Sequence, residues 1–204
     1  MKSFLLIGFA LLVLGMLCEA FGADSWFVEP SASLVFPSSS HVLYHGYSGS
    51  VDYRTGYAQG LQLGRNLGSF KLYIEYQHEN YHARSLTLAT PYGQVSQADS
   101  DNQDQHTVTI NADYSHGLAM GLEGYVGLGA GAAFDSTTSP VIEGRCGLSH
   151  TFGGRTSPFR IALEYGYRWT DGSQKFGHKT DGSYSIVVER PDQQMLTISI
   201  GKKF

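Results

Sequence analysis

The chain carries 204 residues with a formal net charge of -4, and only 16% of them are Asp, Glu, Lys or Arg. That length fits one domain with a filled interior and is short for two. No basic stripe is present that could neutralise phosphates, so nucleic acid is excluded as a partner class.

The first predicted element is "MKSFLLIGFALLVLGMLCEA", one Lys, an apolar run from Phe4 to Leu17, then small residues. The run falls short of the roughly 20 apolar residues a helix needs to cross a bilayer. Its order of charge, apolar run and small residues is that of a secretory signal peptide. Residues 1–22 are therefore expected to be removed, with cleavage after Ala20 or Gly22, leaving 23–204 as the mature domain. That domain retains one cysteine, Cys146, so no intramolecular disulfide can form. It has no second apolar stretch of helical spanning length, and a membrane crossing would have to be made by strands.

Eight runs with a period of two follow. In "WFVEPSASLVF", Trp26, Val28, Ala32, Leu34 and Phe36 share one face, and Glu29, Ser31 and Ser33 the other. From about Arg54 to Leu67, the residues Tyr57, Leu61, Leu63 and Leu67 are set against Gly56, Gly60, Gln62 and Gly64. "FKLYIEYQHE" puts Phe70, Leu72, Ile74 and Tyr76 opposite Lys71, Tyr73, Glu75 and Gln77. "HTVTINADYS" puts Val108, Ile110, Ala112 and Tyr114 opposite Thr107, Thr109, Asn111 and Asp113. In "GLEGYVGLGAGAAF", Leu122, Val126, Leu128, Ala130 and Phe134 face away from Glu123, Tyr125 and glycines 127, 129 and 131. "VIEGRCGLSHTF" sets Ile142, Cys146, Leu148 and Phe152 against Glu143, Arg145, Gly147 and Ser149. "FRIALEYGYRW" sets Phe159, Ile161, Leu163, Tyr165, Tyr167 and Trp169 against Arg160, Ala162, Glu164, Gly166 and Arg168. The last run, "QMLTISIGKKF", alternates Leu196, Ile198, Ile200 and Phe204 with Thr197, Ser199, Gly201 and Lys203.

Connections alternate in length: "NLGS", "HGLAM" and "GGRTSP" are brief, whereas 37–53, 78–105 and 171–192 are long and polar. Short turns at one end and long loops at the other are the pattern of an up-and-down barrel. Two residues resist the alternation. Pro30 would remove a ladder hydrogen bond, which suggests a bulge near the seam. Gln59 falls on the apolar face, and a bulge at Gly60 would turn it away.

Alternation does not say which face is inside. Three features point to lipid outside. Aromatic residues gather near the ends of the apolar faces (Trp26, Tyr57, Tyr76, Tyr114, Phe134, Phe152, Phe159, Tyr167 and Trp169), as in girdles at headgroup depth. The polar faces are rich in small residues, which suits a cramped bore. The last run ends on an aromatic residue. In these features the sequence resembles the small eight-stranded outer-membrane barrels, the family of the outer-membrane protein A transmembrane domain and the opacity-type surface proteins. The resemblance implies an all-β, eight-stranded antiparallel up-and-down transmembrane β-barrel. It also implies a terminal signal, Leu196, Ile198, Ile200 and Phe204, read by the outer-membrane assembly machinery. Lys202 departs from that signal, since an apolar residue is usual there.

An eight-stranded bore is just wide enough to be filled by side chains. Glu29, Glu75, Asp113, Glu123, Glu143 and Glu164 would point into it with Arg54, Lys71, Arg145, Arg160 and Arg168, a near balance that should pair into an ion network. Glu75 and Glu164 could be an acid and a base, but a packed bore offers no substrate cleft. Ser149 and His150 are adjacent on a strand and point to opposite faces, so they cannot act together. The histidines His41, His45, His78 and His82, with Asp99, Asp101, Asp104 and His106, lack the glycine and ligand spacing of a calcium loop.

The expectation is a non-enzymatic outer-membrane barrel without cofactor or metal, serving envelope integrity or adhesion. Its partners would be outer-membrane lipid, the assembly machinery and a surface ligand met by Tyr44, Tyr47, Tyr53, Tyr81, Tyr92 and Tyr184. The alternatives are a narrow or gated porin-like channel and a lipid-modifying enzyme.

Overall fold

The computed structural model describes residues 25–44, 47–98, 102–135, 137–152, 158–176 and 186–203. The predicted signal peptide, 1–22, and the terminal Phe204 lie outside them, as does Tyr184. Eight long strands form the cylinder: β1 (Ser25–Pro37), β4 (Gly56–Leu67), β5 (Phe70–Thr90), β7 (Asn102–Gly117), β8 (Leu122–Phe134), β9 (Thr138–Phe152), β10 (Phe159–Thr170) and β13 (Gln193–Lys203). Each pairs antiparallel with its neighbours in chain order, and β1 pairs with β13 to close the ring. Closure leaves the cylinder itself without a free edge.

Apart from Leu67, the apolar-face residues of the eight runs point outward among the described residues. Leu61, Leu63, Ile74, Val126, Leu128, Ile142, Leu163 and Ile198 are all exposed, and Leu128 is 69% so. Charged side chains fill the centre, the inverse of a soluble barrel. An outer surface this apolar is stable only against hydrocarbon. At the end closed by short turns the band is edged by Trp26, Phe70, Tyr114, Phe152 and Phe159, and at the other end by Phe36, Tyr57, Tyr76, Phe134 and Trp169, all exposed. Tyr167 is half-buried against the Trp169 ring at 4.6 Å. From Phe159 to Trp169 the strand rises about 33 Å, or ~25 Å along the barrel axis at a tilt of ~40°, the height of a bilayer's apolar band.

The short turns are made where the backbone can enter the left-handed region: Gly68 at φ 64° between β4 and β5, and Met120 and Gly121 at φ 62° and 75° between β7 and β8. At the opposite end the chain is more ordered than its sequence suggests. Of the segments expected as long polar loops, 37–53 and 78–105 are largely strand, and 171–192 contributes two short strands among its described residues. There β5 continues to Thr90 and is joined by β2 (Ser40–Tyr44), β3 (Tyr47–Tyr53), β6 (Gly93–Ala98), β11 (Ser173–Phe176) and β12 (Ile186–Glu189). They pair in the order β11-β12-β2-β3-β5-β6, forming a wall that stands on the barrel rim. Val42, Val51, Ala83, Leu86 and Val188 form its own small core.

Both proposed bulges are absent. Pro30 does lie on the seam, but β1 and β13 keep one register across it: Val28 meets Lys202, the ladder lapses at Glu29 and Pro30, and Ser31 meets Ser199. The missing N–H interrupts the ladder without shifting it. Gln59 stays outward, in register with Ala32 on one side and His78 on the other, so it is a polar position within the apolar band, with Leu34 and Tyr57 exposed beyond it. Leu67 is buried at the turn instead of joining the outer face.

Candidate functional site

The bore holds ion pairs in tiers along its axis. Nearest the short turns, Glu29 on β1 takes Lys71 from β5 and Arg160 from β10, each at 2.8 Å. Lys71 also donates to Gln62 at 3.0 Å and lies 4.3 Å from the centre of the buried Phe27 ring. Glu29 folds so closely over Gly201 that a Cβ there would collide with it, which explains a glycine on an inward-facing position of the last strand.

Arg145 on β9 occupies the middle tier. It bonds Glu75 at 3.0 Å, approaches Glu164 at 3.6 Å and Asp113 at 3.9 Å, and pairs closely with Glu143. It also donates to the Tyr73 hydroxyl at 2.6 Å, and that hydroxyl donates to Asp113 at 3.0 Å. Tyr125 donates to Glu164, and Thr109 to Glu143, both at 3.1 Å. Above it Arg168, fully buried, reaches from β10 to the opposite wall of the ring. There it pairs with Glu79 and donates to Gln77 at 2.6 Å, while holding Glu143 at 2.9 Å. The space between Glu75, Gln77, Glu143, Arg145, Glu164 and Met195 admits no water-sized sphere. A charge enclosed in this way is tolerable only because every tier brings opposite charges and hydrogen bonds together.

Nine of the eleven residues assigned to the bore from sequence come together in these tiers: Glu29, Lys71, Glu75, Asp113, Glu143, Arg145, Arg160, Glu164 and Arg168. Two do not. Arg54 is exposed in the connection between β3 and β4, because the barrel strand begins only at Gly56. Glu123 sits half-buried where β8 leaves the short turn, below the tiers and without an ion pair to any described residue. Glu79 and Arg190 were missed. Continuing the alternation of Lys71, Tyr73, Glu75 and Gln77 two steps would have found Glu79 and the buried Tyr81, but their polar surroundings read as loop. Arg190 caps the stack, bonded to Asp135 at 2.6 Å and the Thr137 carbonyl at 3.0 Å.

Glu75 and Glu164 both lean on Arg145. Ser149 is buried, whereas His150 is exposed and meets the Gly121 carbonyl at 3.0 Å, so the two face opposite sides of the wall. His78 stacks on His106 at 4.8 Å and lies 3.5 Å from Asp104 on the outer surface. No group of three or more His, Cys, Asp or Glu among the described residues is arranged to hold a metal ion. Cys146 is exposed on the outer face. Of the tyrosines proposed for surface contact, Tyr81 is wholly buried with its ring 5.5 Å from Tyr53, which removes it from the surface, while Tyr92 at a hairpin tip is fully exposed.

No protein-family model and no curated protein matches the chain. Solved structures do. The crystal structure of Neisserial surface protein A (NspA) superposes with a TM-score of 0.58 at 16% identity, covering 89% of this chain and 99% of that one. The outer membrane protein OprG from Pseudomonas aeruginosa gives 0.57 at 17%, covering 90% and 97%. The fold is that of the small outer-membrane barrels. At this level of identity the likeness extends to strand number, order and closure, and the whole length of these barrels is spanned. What such a barrel does is set by its own bore and rim.

Proposed function

We propose that the chain is an integral outer-membrane protein, exported by a cleaved signal peptide, that crosses the membrane as this barrel and acts without catalysis. Its short turns lie on the periplasmic side and its hairpin wall outside. It holds that wall at the cell surface, serving envelope integrity or contact with a surface partner. Of the tyrosines in the hairpin wall, Tyr47 and Tyr92 are exposed among the described residues. The observation that supports the reading is the pairing of an apolar outer band with a bore in which Arg145 and Arg168 are tied to carboxylates from opposite walls and the gap beside Arg145 admits no water-sized sphere.

Envelope fractionation with gel mobility of boiled and unboiled samples tests the membrane assignment. The protein should stay with the outer membrane and migrate anomalously until heated, and a soluble fraction insensitive to heating would contradict it. The pure barrel should be silent in planar bilayers. Discrete conductance steps would replace this reading with a gated channel, and altered lipid A acylation on overexpression with a lipid-modifying enzyme.

A further inference from the structure

On the outer surface, β5 and β7 bring two histidines together. His78 and His106 are directly opposed in the antiparallel register. Opposed residues stand with their Cβ atoms ~4.5–5.5 Å apart. Here the two rings lie nearly parallel, with centres 4.8 Å apart. The Tyr76 ring stacks on His106 as well, at 6.0 Å. Beyond the pair the next outward positions are polar, Asn80 on β5 and Asp104 on β7, so the histidines stand where these two strands leave lipid for water. Both imidazoles are open to the outside: His106 is exposed, and the His78 side chain is 42% so.

Each ring has one nitrogen beside an oxygen. The Tyr76 hydroxyl lies 2.8 Å from His106 Nδ1, and an Asp104 oxygen lies 3.5 Å from His78 Nε2. Asp104 is itself positioned by the Asn80 amide, which donates to it at 2.6 Å, and by the Asn102 amide at 3.4 Å. The other two nitrogens, His106 Nε2 and His78 Nδ1, have no hydrogen-bond partner among the described residues. Proteins prepare imidazoles for a metal in this way: one N–H is given to a carboxylate or hydroxyl oxygen, which fixes the tautomer and leaves the lone pair of the opposite nitrogen free. With Nδ1–H donated to Tyr76, His106 offers Nε2. With Nε2–H donated to Asp104, His78 offers Nδ1. Two protein ligands leave the rest of a coordination shell to water, so the site suits reversible uptake and not the closed four-ligand shell of a structural zinc.

We propose that the His78–His106 pair binds one divalent transition-metal ion of the zinc class on the outer surface of the barrel. Imidazole nitrogen suits zinc, copper and nickel, whereas calcium and magnesium need shells of oxygen. The bound ion ties β5 to β7 at the foot of the hairpin wall. The site goes beyond the structural role proposed above and requires neither an open bore nor a surface partner.

The test is zinc titration by calorimetry on the untagged mature barrel folded in detergent, its fold verified by heat-shifted mobility. A Cys146→Ser background removes the exposed thiol as a competing ligand. One equivalent of zinc should bind, and excess calcium should not displace it. His78→Phe and His106→Phe each keep a ring in the stack but offer no nitrogen, and either should abolish saturable binding. Tyr76→Phe should weaken binding about tenfold. His150→Ala, beside the short turn at Gly121, should leave it unchanged. Zinc should also raise the urea midpoint of the parent barrel and not that of the Phe variants. A correctly folded barrel that takes up no zinc would overturn the proposal, leaving the membrane assignment intact. So would undiminished binding in either Phe variant, or displacement of the zinc by calcium.

Discussion

Arg168 shows how one side chain can define a barrel's interior. It is fully buried and bridges the ring from β10 to Glu79 and Gln77 on β5, while Glu143 leans on it from β9. Removing it strands Glu79 without a cation and leaves Glu143 to Arg145 alone. Arg168→Met should therefore lower the unfolding free energy by about 3–5 kcal/mol, read from urea titration in micelles, and adding Glu79→Gln should recover part of the loss. A loss below about 1 kcal/mol, within the usual range for exposed ion pairs, would show that the tier is not closed to solvent. Arg168 itself was legible in the sequence because Phe159 to Trp169 alternate without a break. Its partner Glu79 was not, because the residues flanking it, His78 and Asn80, give no apolar beat by which to tell inward from outward. Arg54 failed for the complementary reason: it was counted into a strand that starts two residues later.

At the scale of elements, the eight barrel strands were legible because lipid enforces alternation on every one of them. The rim strands β2, β3, β6, β11 and β12 were not, because only one small core demands apolar residues there and their outer positions are free to be Ser, Gly or Gln. Pro30 and Gln59 teach the same lesson from inside the barrel. A closed ring held by neighbours on both sides absorbs a missing donor or a polar outward residue without changing register. The rim wall should also be separable from the cylinder. Arg84 is exposed, at the point where the register of β3 and β5 shifts between Asp52 and Tyr53. Val51 is buried in the wall's core. Val51→Asp places an unpaired charge in that core, so trypsin should cut at Arg84 about tenfold faster or more, while the cleaved barrel keeps its unheated gel mobility. An unchanged cleavage rate would mean that Val51 does not hold the wall, and loss of the folded mobility that wall and cylinder melt as one unit.

For the whole molecule, orientation decides everything else: an apolar exterior between two aromatic girdles, and ions in the centre. The chain's two tryptophans stand in opposite girdles, Trp26 near the short turns and Trp169 near the hairpin wall, and both are about half exposed on the outer surface. Leu128 lies between the girdles as the most exposed of the band's leucines. The most direct measurement is fluorescence quenching in bilayers of lipids brominated at different depths, on the native barrel and on Trp26→Phe/Trp169→Phe carrying Leu128→Trp. The inside-out barrel predicts that the native tryptophans are quenched best by bromines near the headgroups and the tryptophan at position 128 by bromines deep in the chains. Tryptophans that no brominated lipid quenches, but that a water-soluble quencher reaches from all three positions, would contradict it.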